Sequence, residues 1–130
     1  MIVLDASAAI EWLLQTTTGA RVEARVFSEP VGLHAPHLVD VEVVQGLRRH
    51  VSAGLITASR AHDALDDLSD LALTRYPHSP FLDRIWQLRD NLTAYDAAYV
   101  ALAEALDAPL VTCDRKLASA PGHHARIEVI

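Results

Sequence analysis

Four acidic residues stand in surroundings where an isolated carboxylate is costly. Asp5 follows the apolar run Ile2-Val3-Leu4, and Glu42 is set among valines in Val39-Asp40-Val41-Glu42-Val43-Val44. Asp96 lies in Thr93-Ala94-Tyr95-Asp96-Ala97, just ahead of a long apolar stretch, and Asp114 follows Leu110-Val111-Thr112-Cys113. A carboxylate so placed loses hydration unless a cation or hydrogen-bond donors replace it. Taken singly, each has an ordinary structural role: Asp5 as a helix cap, Asp96 as a first-turn acid favoured by the helix dipole, Asp114 as a turn residue, Glu42 as a paired side chain. Taken together, convergent carboxylates repel and raise one another's pKa unless divalent cations sit between them. An all-oxygen ligand set suits Mg²⁺ or Mn²⁺ rather than zinc. Two such ions would offset four of the six net negative charges, which makes an anionic substrate compatible with an acidic chain.

The elements that must position these acids are short apolar strands alternating with helices. Ile2-Val3-Leu4 reads as a buried strand running into a helix over 6–14, with Asp5 or Ser7 as its cap. Further helices are expected over 19–27, 37–52, 58–68, 80–92 and 93–108, and further strands near 32–35, 71–76, 110–113 and 126–130. Gly54 suits the end of the 37–52 helix and Thr57 the start of the next. Continuous apolar strands separated by helices indicate a parallel sheet covered on both faces. The expected fold is therefore α/β, a three-layer α/β/α sandwich around a central, mostly parallel sheet of four to five strands. Residues 1–130 are expected to form one domain. Ligands of such sheets bind at the carboxyl ends of the strands, where Asp5 and Asp114 both fall. Thr112 shares a strand face with Asp114, two residues away.

Composition narrows the class. The chain has 130 residues, 51% apolar and 22% charged, which excludes intrinsic disorder. One cysteine, Cys113, excludes a disulfide framework and a cysteine-rich zinc site, and is read as a small buried hydrophobe. The net charge of −6 argues against a general polyanion binder. The N-terminus lacks a basic leader, and no apolar run approaches the ~18 residues of a membrane helix, so the expected location is the cytoplasm. His123-His124 lack a third ligand nearby, which argues against zinc there, and His37 is expected at the surface.

The four motifs, in this order and over essentially the whole chain, resemble the PIN-domain ribonucleases, and most closely the VapC-type toxins of bacterial toxin–antitoxin pairs. The resemblance rests on Ile2-Val3-Leu4-Asp5-Ala6-Ser7-Ala8, on Pro36-His37-Leu38 leading to Glu42, on Thr93-Ala94-Tyr95-Asp96-Ala97, and on Leu110 to Leu117. It implies that Asp5, Glu42, Asp96 and Asp114 form the catalytic, metal-binding cluster for one or two Mg²⁺ or Mn²⁺ ions, with Asp5 and Asp96 the most direct ligands. It implies hydrolysis of RNA phosphodiester bonds, with one ion activating water and a second steadying the leaving oxygen. It also implies a VapB-like antitoxin as partner and a homodimer. Ser7 and Thr112 are candidates to support the ligands. Arg115 and Lys116 are candidates for phosphate contact, against a plain charged turn. Arg48 and Arg49 are expected on the solvent face of their helix, with an RNA groove as the alternative. Trp12 and Trp86 are expected in the core or a groove, Trp12 being the candidate for the antitoxin groove.

Two other functions fit parts of the pattern: a PIN nuclease of RNA maturation or quality control, and a Mg²⁺-binding regulatory or interaction module without catalysis. A phospho-accepting receiver domain does not fit, since it needs an acidic pair after the first strand, and a dehalogenase-type phosphotransferase needs an acid where Ser7 stands. A glycine-rich nucleotide loop is absent.

Overall fold

The sheet forms where the sequence supplies short uninterrupted apolar runs. The computed structural model describes residues 1–130. In chain order the elements are β1 (Ile2–Leu4), α1 (Ala6–Leu13), α2 (Thr17–Val26), β2 (Leu33–Pro36), α3 (Leu38–Ser52), α4 (Ala58–Asp70), β3 (Leu73–Tyr76), α5 (Leu82–Gln87), α6 (Ala94–Leu106), β4 (Leu110–Thr112), α7 (Arg115–Ser119) and β5 (Ile127–Val129). The five strands make one sheet in the order β3-β2-β1-β4-β5, and every pairing is parallel. β1 is the middle strand, with Ile2 beside Leu33 on one flank and Val3 beside Leu110 on the other. All three of its residues are buried, as a strand covered on both faces requires.

Strand order reverses direction at β1. β2 and β3 are added on one side, and the chain then crosses to place β4 and β5 on the other. The carboxyl ends of β1 and β4 therefore flank the crevice where open parallel sheets bind ligands.

α1 packs against α2 and α3, and α3 against α4; α6 packs on β1, β2 and β4 with α5 beside it. The small residues of Ala97–Ala103 are all buried, so α6 lies close on the sheet. Close approach is needed again between α1 and α2, where any Cβ on Gly19 would collide with the Glu11 carbonyl. Arg75 on β3 holds Asp40 in the first turn of α3 through a fork of bonds at 2.8 to 3.0 Å, fixing the helix that carries Glu42. Thr57 and Thr93 cap α4 and α6 as side-chain acceptors, and Gly54 leaves α3 with φ +72°.

Two stretches differ from expectation. The helix expected over 80–92 breaks into a 3₁₀ turn at Ser79–Phe81, the short α5, and turns reaching Thr93. After Gln87 the backbone continues in tighter three-residue steps, Arg89 N–H to Trp86 O at 3.2 Å and Asn91 N–H to Leu88 O at 3.1 Å, rather than in the regular helical ladder. Trp86 on α5 is exposed and lies outside the core. Arg115 and Lys116 begin α7, a helix too short to show periodicity in sequence, rather than a turn.

Candidate active site

Asp5, Glu42, Asp96 and Asp114 line one cleft of about 310 Å³, together with Ala6, Ser7, Ile10, Gln45, Gly46 and Arg49. Four elements deliver the acids: the β1–α1 junction, α3, the first turn of α6, and the β4–α7 junction.

Asp5 occupies the N-cap position of α1, yet its side chain does not cap the helix. Two hydroxyls hold it instead, both on Oδ2: Ser7 Oγ donates at 2.6 Å and Thr112 Oγ1 at 2.7 Å. Ser7 Oγ accepts the Cys113 N–H at 3.0 Å, and Thr112 Oγ1 accepts the Asp114 N–H at 3.0 Å. The carboxylate of the first strand is thereby tied to the backbone leading out of the fourth. Thr112 is fully buried and Asp5 nearly so. Burial pushes the Asp5 carboxyl above the usual range, the two hydroxyl donors oppose that, and the Asp114 charge adds to it.

Glu42 is raised first by burial and then by the charges of Asp5 and Asp96, against a lowering influence of the neighbouring Tyr99 phenol. Its Oε1 is buried without a hydrogen-bond partner of good geometry, and so is Tyr99 Oη. Asp96 is also raised by burial and by Asp5 and Asp114, while Thr93 lowers it and accepts its backbone N–H at 3.2 Å. Asp114 caps α7, its Oδ1 accepting the Lys116 N–H at 2.9 Å.

None of the four acids forms an ion pair; the five in the protein lie elsewhere. No three of them bring ligand oxygens within 4.8 Å of one another, as expected of mutually repelling carboxylates, whereas exposed His62, Asp63 and Asp66 on α4 do. That outer trio is fully solvated and distinct from the cleft. The cleft donors fit a hard divalent cation: all are oxygens, and a buried carboxylate atom without a donor is the atom a cation would satisfy.

The remaining candidates divide. Ser7 lines the cleft and Thr112 lies directly behind it, whereas Arg115 and Lys116 do not line it and Arg49 does. His37 is exposed and meets His78 edge-on, away from the acids. Cys113 is half-buried rather than enclosed. Trp12 is half-buried and donates to Glu23 Oε2 at 2.9 Å. It meets Phe27 edge-to-face and lines a separate apolar hollow of about 340 Å³ with Val31, Leu33 and Leu71. Tyr99, buried beside Glu42, and Gln45, which lines the cleft, were not placed by sequence reasoning, whereas for Arg49, which also lines it, a groove is the alternative to a solvent face. Their only signal is helical spacing, three residues from Asp96 for Tyr99, and three and seven from Glu42 for the others.

The PIN domain family matches residues 2–122. The ribonuclease VapC12 of Mycobacterium tuberculosis is 46% identical over 130 residues, covering 100% of this chain and 99% of its own length. The ribonuclease VapC1 of the same organism is 46% identical over 129 residues, covering 98% and 96%. Among solved structures, PAE2754 of Pyrobaculum aerophilum superposes with a TM-score of 0.70 at 25% identity, over 98% of this chain and 83% of the other.

Proposed function

Given that the chain belongs to the PIN-domain family and is of the VapC type, we propose that it is a divalent-metal-dependent endoribonuclease, the toxin of a VapBC-type pair restrained by a VapB-like antitoxin. The observation that carries this reading is the cleft itself, where four carboxylates from four elements converge without one ion pair among them. Asp5 and Asp96 would be the principal ligands of Mg²⁺ or Mn²⁺, one ion or two, with Glu42 and Asp114 completing the set. When bound, the metal supplies Lewis acidity, lowering the pKa of water and offsetting charge that develops on the phosphoryl oxygens.

The chain's own groups prepare that chemistry. Ser7 and Thr112 donate to the same Asp5 oxygen, which favours the ionised form and fixes its direction, while neither occupies Oδ1. Glu42 lines the cleft and is suited to take a hydrogen bond from the attacking water. Tyr99, whose phenol burial and nearby carboxylates push far above its ordinary pKa, stays a neutral donor beside Glu42.

Residues 1–130 form one domain in this proposal, in keeping with a single cluster of 28 buried core residues drawn from between Ile2 and Leu117. No helix is long and apolar enough to cross a membrane, which agrees with a cytoplasmic toxin. The hollow beside Trp12 and the 71%-exposed Phe27 offers an apolar groove for an antitoxin helix, and a homodimer follows the family pattern.

End-mapping of total cellular RNA, incubated with the protein in Mg²⁺, Mn²⁺ or EDTA, tests the function. Discrete metal-dependent cuts that vanish with Asp96→Asn are expected. Intact RNA in every lane would refute it.

A further inference from the structure

The face that α3 turns to the cleft is Glu42, Gln45, Gly46 and Arg49, positions i, i+3, i+4 and i+7 of one stripe. Gly46 lies directly against α1: a Cβ at that position would push aside the tip of the Ile10 side chain, and Ile10 forms part of the cleft wall. α3 thus rests close on α1, the helix that starts at Asp5. Arg49 lies about 10 Å along the helix from Glu42, at 1.5 Å of rise per residue. It is the one cation among the ten residues lining the cleft.

Arg49 is also unspent. The protein's ion pairs use Arg25, His62, Arg75, Arg84 and Arg126, and the Arg49 side chain makes neither a salt bridge nor a hydrogen bond. Its neighbour Arg48 is also exposed but does not line the cleft. An exposed guanidinium that shares a cleft with four carboxylates and pairs with none is available to an anion from outside. Its offset from Glu42 places that anion beside the reacting group rather than on it. The guanidinium fork matches two oxygens of a phosphodiester.

We infer that Arg49, with the Gln45 amide one turn nearer the acids, grips an RNA backbone phosphate adjacent to the one being cleaved and so sets the register of the strand in the cleft. This assignment rests on the ribonuclease reading and adds a substrate contact to it. It also accounts for how an acidic cleft holds a polyanion beyond the reach of the bound ions: one positive charge is placed where the strand leaves the metal ligands.

The test compares wild type with Arg49→Ala, Arg49→Lys and Arg48→Ala. Binding of a short labelled single-stranded RNA of mixed sequence is titrated over a range of salt in Ca²⁺, with the RNA checked for intactness afterwards. Loss of one phosphate contact should lower the slope of log K against log salt by about 0.7 and weaken binding roughly tenfold at low salt. Arg49→Lys should keep the slope, since it keeps the charge, and Arg48→Ala should match wild type despite the same change in net charge. In cleavage of total RNA, Arg49→Ala should raise KM far more than it lowers kcat. Its Mn²⁺ affinity by calorimetry should be undiminished, because removing a nearby cation does not weaken cation binding. Wild-type slope and KM in Arg49→Ala, or equal losses in Arg48→Ala, would overturn the assignment while leaving the nuclease standing. A wild-type protein that neither binds nor cuts RNA would overturn both.

Discussion

The two ends of the sheet treat their acids in opposite ways. At the amino-terminal end, a hollow of about 350 Å³ is lined by Arg25, Glu29, Asp107, Arg126 and Glu128. There Arg25 holds Glu128 at 2.6 and 3.1 Å and Arg126 holds Asp107 at 3.0 Å, while Arg84 holds nearby Glu104 at 2.8 and 2.9 Å. At the carboxyl end, a cleft of similar size gathers Asp5, Glu42, Asp96 and Asp114 with no ion pair. The titration behaviour divides accordingly. The Arg84 fork pulls the Glu104 carboxyl below its usual range, whereas burial pushes Asp5, Glu42 and Asp96 above theirs. Hollow size is therefore alike at the two ends and the acids differ: Glu29 is the one acid of the amino-terminal hollow outside an ion pair, whereas all four acids of the cleft are outside one.

Neutralising one acid at each end gives the largest contrast. Asp96→Asn should lower RNA cleavage by about a thousandfold or more, as loss of a metal ligand does. Glu104→Gln should leave cleavage at wild-type level and cost about 1 kcal/mol of stability by weakening a partly exposed fork. Equal activity losses from the two would erase the distinction.

Thr112→Val sharpens it, because the hydroxyl belongs to neither group of acids but orients one of them. The substitution leaves the Asp114 N–H without its acceptor and removes one of the two donors on Asp5 Oδ2. Cleavage should fall ten- to a hundredfold, and denaturant unfolding should show a loss of about 1–3 kcal/mol.

The metal-free protein should respond to pH oppositely at its two ends. A carboxyl whose folded pKa is raised contributes stability that is complete below its unfolded pKa, about 4, and is lost as pH rises through the folded value. Glu104, whose folded pKa is lowered, contributes stability that is present above its unfolded pKa and is lost as pH falls through the folded value. In EDTA, melting temperature should therefore rise on acidification from neutral pH toward about pH 5. Glu42→Gln should raise it at neutral pH by a few degrees and flatten that rise. A Glu42→Gln protein that melts lower than wild type in EDTA would contradict the unpaired-acid account.

The smallest effect is expected outside both ends. Phe27→Ala removes an exposed ring beside Trp12 and should leave cleavage and stability nearly unchanged while weakening antitoxin binding. Unchanged affinity in a pull-down with the antitoxin would place the groove elsewhere.

Sequence made the arrangement of the four acids legible for a physical reason. Asp5 and Asp114 follow apolar strands directly, Asp96 follows a Thr93 cap, and the strand order of a parallel sheet brings strand ends together. Glu42 was visible because the valines around it left it nothing to pair with. Less local features were not legible. The helix expected over 80–92 is instead split, since local sequence does not register where the α ladder gives way to the tighter turns after Gln87. Arg49 is exposed, as a place on the solvent face of α3 predicts, and it also lines the cleft, the groove alternative that its sequence position leaves open; which of the two holds depends on how α3 rests on α1, where Gly46 meets Ile10, a contact between residues 36 positions apart. The Ser7–Asp5–Thr112 arrangement was anticipated in its members but not in its form, since the shared Oδ2 depends on how β1 and β4 align.

The most direct test of the central claim is a calorimetric titration of Mn²⁺ into wild-type, Asp96→Asn and Glu104→Gln proteins. Saturable binding to wild type and Glu104→Gln, lost in Asp96→Asn, is the predicted result. Equal binding by all three would mean that the unpaired carboxylates of the cleft are not the metal centre.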